Sequence, residues 1–242
     1  MRTIKFLSIT LMAIALFATI VGCSKEDDDI LEPQAKECHM VSASGLVTAT
    51  IDYTESGRIK TIINGTERTD FSYTTGNVRA RTNEDGQFVR RKIMTLNENG
   101  QITNVRTEYN SLGTDWSNHV FEYIGEQITK MTYTNDNGSP AETTTFIWSD
   151  GNLTSIIAPD GDVTTLEYYE DEPARQGDYA YLSYLLEYGQ SIIINKNLLK
   201  NHIDSFGNIS FEYDFDDEDK ITSITAQNGA ETGIISFEYQ CE

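Results

Sequence analysis

One pattern recurs from Leu46 onward and leaves room for little but antiparallel β-structure. An apolar residue, one spacer and an aromatic are followed by a polar turn with glycine, then by two apolar residues three apart. Ile51-x-Tyr53, Gly57 and Ile59-x-x-Ile62 form the first copy, and Phe71-x-Tyr73, Gly76 and Val78 a shortened one. Met94-x-Leu96 with Gly100, Phe121-x-Tyr123 with Gly125 and Phe146-x-Trp148 with Gly151 follow. They lead into Ile102-x-x-Val105, Ile128-x-x-Met131 and Leu153-x-x-Ile156. Leu166-x-Tyr168 opens an interrupted copy, Tyr213-x-Phe215 resumes with Ile221-x-x-Ile224, and Phe237-x-Tyr239 closes the chain as half a copy. Outside the interrupted copy these positions stand 20 to 27 residues apart, a period that marks a repeat architecture.

Each copy is a β-hairpin in physical terms. Residues two apart on a strand share a face, so Ile51 and Tyr53, or Phe121 and Tyr123, point the same way. Glycine in Thr54-Glu55-Ser56-Gly57 and Asn97-Glu98-Asn99-Gly100 supplies the positive φ of a turn closed by a bulge. Turns such as Asn64-Gly65, Asp85-Gly86 and Asn228-Gly229 mark the opposite hairpin ends. The three-residue spacing of Ile102 and Val105 breaks strict alternation. It implies either a bulge or a sheet covered on both faces. Runs between turns number about 13, and accumulated twist should curl so long a meander into an open barrel or wrapped sheet. The fold class is therefore all-β.

One stretch, 178–202, breaks the repeat. Tyr179, Leu182, Leu185 and Leu186 have helical spacing, with Asp178 placed as N-cap and Gly189 as C-terminal stop. The expectation is a short helix and a loop, running through Asn197-Leu198-Leu199, that cover one end or face of the sheet.

The first 22 residues place Arg2 and Lys5 before an apolar run from Phe6 to Val21, the layout of a secretory signal. Thr19-Ile20-Val21-Gly22-Cys23 resembles a bacterial lipobox, which implies cleavage before Cys23 and its lipidation. Residues 23–37 then read as an acidic tether and 38–242 as one domain. The acids just after Cys23 resemble the export signal of surface lipoproteins in Bacteroidetes. Cys38, ahead of the first strand, and Cys241, the penultimate residue, remain as an even pair that an envelope location would allow to join.

The chain carries 38 acids against 18 bases, a formal net charge of −20. Nucleic acid would be repelled without a basic patch, and no run of basic residues provides one. The repeats loosely resemble the tyrosine-aspartate repeats of Rhs-type proteins. Leu185-Leu186-Glu187-Tyr188-Gly189, Lys196-Asn197-Leu198 and Phe211-x-Tyr213 more closely resemble a family of Bacteroidetes lipoproteins of unknown function. That resemblance spans roughly residues 46 to 240. It implies an all-β outer-membrane or envelope lipoprotein and brings no catalytic residue.

Chemistry-bearing motifs are scarce. The three histidines, His39, His119 and His202, form no HExxH, and neither a nucleophile elbow nor a phosphate or dinucleotide loop occurs. No cysteine spacing suits zinc, and no cofactor is indicated. His119 shares a strand face with Phe121 and Tyr123. It reads as a partly buried strand residue before it reads as a ligand contact or general base. The acids of 214–219 suggest calcium, but Asp219 stands where an EF-hand needs glycine, so a solvated turn is the plainer reading. Trp116, beside the turn at 110–115, lies on the opposite face from Phe121. Tyr179, Tyr181, Tyr184 and Tyr188 crowd the insertion. Rings there could stack on sugars or receive a peptide, or simply cap an open sheet end.

Three functions separate on these residues. A lipid-anchored binding or interaction module, for a glycan or protein ligand, requires an accessible aromatic groove. A structural envelope protein requires a filled interior without one. A glycan-directed hydrolase requires two carboxylates or a histidine–acid pair facing a cleft. The first is the expectation carried forward, with the membrane as partner through the lipid on Cys23.

Overall fold

The computed structural model describes residues 38–241. Sixteen strands and one helix follow one another. They are β1 (Cys38–Gly45), β2 (Ala49–Tyr53), β3 (Ile59–Asn64), β4 (Glu67–Thr74), β5 (Asn77–Glu84), β6 (Gln87–Leu96), β7 (Ile102–Glu108) and β8 (Trp116–Ile124). Then come β9 (Gln127–Asn135), β10 (Glu142–Ser149), β11 (Asn152–Ile157), β12 (Val163–Pro173), helix α1 (Tyr179–Tyr188), β13 (Asn197–Asp204), β14 (Gly207–Phe215), β15 (Ile221–Asn228) and β16 (Glu231–Cys241). Every strand pairs antiparallel with its sequence neighbour, and β1 pairs with β16, so the barrel is closed.

The meander is thus longer than the 13 strands expected, and it closes fully instead of remaining open. Cys38 begins β1 rather than preceding the first strand. Met40 and Ala43 face inward three residues apart across a register shift, which hides β1 from a search for alternation. Likewise Asn197-Leu198-Leu199 is the start of β13, not part of a loop.

Bulges explain the three-residue spacing. Tyr53 pairs with Ile59 but Asp52 with Thr61, leaving Lys60 as the extra residue. Thr103, Thr129, Thr154 and Thr222 occupy the same place in later hairpins. Three of these threonines donate to a carbonyl on the facing strand: Thr103 to Thr95, Thr129 to Glu122 and Thr154 to Ile147. Both apolar residues of each pair therefore face the lumen, as Ile59 with Ile62 and Ile102 with Val105 show by their burial.

The second aromatic of each copy locks this arrangement. Tyr53 donates to the Met40 carbonyl, Tyr73 to Ile59, Tyr123 to Ile102 and Tyr168 to Leu153. Tyr213 donates to Leu199, so the copy resumes as Phe211-x-Tyr213 and not as Tyr213-x-Phe215, whose Phe215 is exposed; Tyr239 donates to Ile221, and Trp148 uses its indole N–H on Ile128. The seven bonds measure 2.6–2.9 Å. Each acceptor sits at the start of the preceding bulge, where the ladder leaves a carbonyl without its regular partner. Burial pushes the Tyr123 hydroxyl up to about 12, so it stays a donor. Tyr123→Phe is expected to lower stability by about 1 kcal/mol. Urea unfolding would show this as an earlier midpoint, and an unchanged midpoint would mean that water replaces the hydroxyl.

A barrel of this strand number is wider than its own wall side chains can fill. The insertion fills it. Helix α1 crosses the lumen, with Tyr179 stacked on Phe211 of β14 at 4.5 Å and Tyr188 edge-on to Phe121 of β8 at 6.2 Å. Leu182 and Leu185 are buried in the core with Ile192 and Ile193. Asp178 caps the helix through the backbone N–H groups of Ala180 and Tyr181. Gly189 ends it at φ 74°, where a Cβ would stand 2.6 Å from the Phe71 ring. Only glycine meets both conditions.

Candidate functional site

Even-numbered strands run toward the end of the barrel that carries Cys38, Cys241 and the insertion. At that end the repeat has one defect. β5 keeps strict alternation through Val78, Ala80 and Thr82, with no bulge opposite Tyr73. On β6, Leu96 stands where other copies place a hydrogen-bonding ring. A cleft of about 800 Å³ opens there, between the helix and the turns that follow β2, β4 and β6. Val78, Leu96 and Gly76 line the gap itself, and Tyr181, Leu185, Gly189 and Gln190 form the helix side.

The remaining wall is aromatic and polar. His39 stacks on Tyr53 at 4.6 Å, and the Arg58 guanidinium lies 5.2 Å above the Tyr73 ring. Gln176, Asn77 and Ser191 add hydrogen-bonding groups, and among the described residues no carboxylate lines the cleft. Its volume falls within the range of small-ligand sites.

The residues singled out in the sequence do not converge on one place. Tyr181 alone of the insertion tyrosines lines the cleft. Tyr179 and Tyr184 line a smaller apolar cavity of about 240 Å³ between the helix and β11–β13, with Leu166, Ile156 and His202. Tyr184 and Tyr188 stack at 6.4 Å. His119 faces the lumen against Tyr133 at 5.1 Å. Burial pulls its imidazole below the usual histidine value, with Lys92 acting the same way and Glu187 opposing. Lys92 is itself buried and donates to both the Glu187 carboxylate and, at 2.8 Å, the Glu187 carbonyl. It ties the end of the helix to β6. Trp116 is on the outer wall under the Arg106 guanidinium, 4.5 Å from the ring centre.

Asp216 accepts N–H bonds from Glu218 and Lys220 and pairs with the Lys220 ammonium, so it closes its own turn. Cys38 and Cys241 are joined by a disulfide at the β1–β16 seam. Cys23 and the leader lie outside the described residues.

Sequence reasoning missed His39, Arg58 and Gln190. The sequence signal for the opening is Leu96, which stands where the other copies have a ring. Sequence reasoning also missed the asparagines that pin the insertion. Asn195 accepts from the Leu153 N–H, and Asn197 donates to the carbonyls of Glu170 and Glu172.

No protein-family model and no curated protein matches this chain. A crystal structure of a porin-like protein from Bacteroides uniformis is similar in fold. The likeness covers 88% of this chain and 94% of that one, with a TM-score of 0.62 and 16% sequence identity. The fold the two share is a closed antiparallel β-barrel.

Proposed function

We propose that the chain is an envelope lipoprotein of Bacteroidetes type that acts as a binding module. Lipid on Cys23 anchors it, residues 23–37 tether it, and the barrel binds a ring-bearing ligand, a glycan by preference, in the cleft beside Leu96. One observation carries the reading: the single break in the ring-and-bulge pattern coincides with a cleft lined by Tyr53, Tyr73, Tyr181 and His39. Sugar rings pack on such faces while polar groups take their hydroxyls. A purely structural protein would have no reason to leave that gap. A hydrolase lacks support, because the cleft offers no pair of carboxylates.

The character of the wall supports attachment by lipid. A spanning barrel shows an apolar band to the bilayer and a polar interior. Here Ile51, Met94, Phe121 and Phe211 are buried inside, while Asp52, Lys60, Arg79 and Glu122 are exposed on the outer face. The arrangement is the reverse of a transmembrane porin and suits a barrel held in water near a membrane.

Leu96→Trp is expected to fill the gap. Thermal unfolding against a panel of neutral oligosaccharides is the test. A ligand at a hundred times its dissociation constant should stabilise the natural chain by about 2.7 kcal/mol, and the variant should lose that shift while keeping its own midpoint. A shift that survives in the variant would place the ligand elsewhere, and a panel without shifts would count against a glycan.

A further inference from the structure

We infer that the outer wall of β4–β7 is a docking surface for an acidic polysaccharide, separate from the cleft and independent of it. The first observation is the placement of charge. On the outer face of β4–β7 stand Arg68, Arg79, Arg81, Arg91 and Arg106 against Asp70 and Glu108, whereas from Tyr109 to its end the chain has five bases and 24 acids. Closure of the barrel turns this into geometry. With β1 beside β16, the strands β5–β7 lie across the lumen from β13–β15. One wall is therefore basic in a strongly acidic protein.

The expectation that no basic patch exists is corrected here. The arginines do not form a run, because alternate residues on a strand face opposite sides. Registration of neighbouring strands gathers them. Across the outer face Asp70 stands opposite Arg81, Arg81 opposite Arg91, Arg91 opposite Glu108 and Glu108 opposite Trp116. The adjoining row places Arg79 beside Ile93 and Ile93 beside Arg106.

The second observation is that this arrangement works against the fold. Like charges directly opposed on neighbouring strands destabilise a sheet, and Arg81 faces Arg91. Glu108 is shared by Arg91 and Arg106, and Asp70 is taken by Arg68. Arg81 has only the Asn83 side chain and the Phe88 ring, and Arg79 is exposed without a carboxylate partner among the described residues. Local rules are broken at functional surfaces, and the opposition of Arg81 and Arg91 on an exposed face is such a break.

The third observation selects the partner. Trp116 ends the arginine row with its ring under Arg106. An aromatic ring beside a cluster of guanidinium groups, those of Arg79, Arg81, Arg91 and Arg106, suits a chain that alternates sugar faces with carboxylate or sulfate groups. Neighbouring strands lie about 4.8 Å apart, so the four arginines of β5, β6 and β7 gather within reach of one extended polymer.

The test is binding of the full protein, purified in neutral detergent, to dextran sulfate and to polygalacturonate. Neutral dextran and duplex DNA serve as comparisons. Both acidic polymers should bind at low salt and release as ionic strength rises. Arg79→Ser with Arg81→Ser should weaken binding about tenfold, whereas Lys130→Ser, on another part of the wall, should not. The double variant should unfold no earlier than the natural protein, since it relieves the Arg81–Arg91 opposition. Leu96→Trp should leave this binding intact, which separates it from the cleft. Absence of binding at low salt, or equal affinity in the double variant, would overturn the inference. DNA binding as tight as that of the polysaccharides would overturn the choice of partner.

Discussion

Asp178→Ala should destabilise the protein by about 3–4 kcal/mol, combining a lost helix cap with a stranded buried donor. The residue is 2% exposed and both its carboxylate oxygens accept from backbone N–H groups. One carboxylate oxygen accepts from Ala180 N at 2.8 Å and Tyr181 N at 3.3 Å. The other accepts from Leu199 N at 2.9 Å and lies 3.4 Å from the Tyr213 hydroxyl, whose proton goes to the Leu199 carbonyl. Burial pushes its carboxyl pKa upward, against the hydrogen bonds that pull it down. One side chain thus starts the helix, fixes the first turns of β13 and meets the aromatic of β14. Alanine would leave the Leu199 N–H buried without an acceptor. Asp178→Asn keeps a good cap and should cost less. Urea unfolding of the two variants, with proteolysis of 174–196 as a local readout, provides the measurement. Equal loss in both would mean that the charge, and not the bonding, matters. No loss in either would mean that the insertion is not held by this residue.

Much of this was legible from the residues. The hairpins follow from the two-residue spacing of inward side chains and from glycine at the turns. The helix follows from Asp178, Gly189 and the leucines between them, and its ends lie where those residues place them. Closure was not legible, because it depends on β1 meeting β16 across the whole chain. The strand count fell short for a local reason. Bulges at Met40 and at the Tyr168–Leu199 pairing disturb alternation where β1 and β13 begin.

The aromatics show why sites are harder to read than folds. Tyr53, Tyr123, Trp148 and Tyr239 look alike in sequence, and each uses its polar atom on a bulge carbonyl. A ring that completes the wall and a ring that lines a cleft differ only in what stands beside it. Tyr53 and Tyr73 do both, because their neighbour at Leu96 lacks a ring. The informative residue was the exception to the repeat. The arginine wall has the same character, since Arg81 and Arg91 become neighbours only through strand register.

Reduction of the Cys38–Cys241 disulfide, or serine at both positions, should produce the largest loss of stability. The bond closes a loop with a sequence separation of 203 residues. In the chain-entropy model such a loop is worth about 5 kcal/mol, chiefly by limiting the unfolded chain. For a domain of this size that corresponds to a midpoint lowered by roughly 10–20 °C. The folded barrel itself should change little, because Cys38 and Cys241 are a register pair of β1 and β16 and the pairing continues to Gly45 and Ile235. Two signatures follow. The oxidised protein should have the smaller urea dependence, since its unfolded chain stays more compact, and both forms should share the same circular dichroism when folded. Coincident midpoints would show that the β1–β16 ladder alone closes the barrel. A reduced form without folded signal would show that the seam cannot form unless its ends are joined.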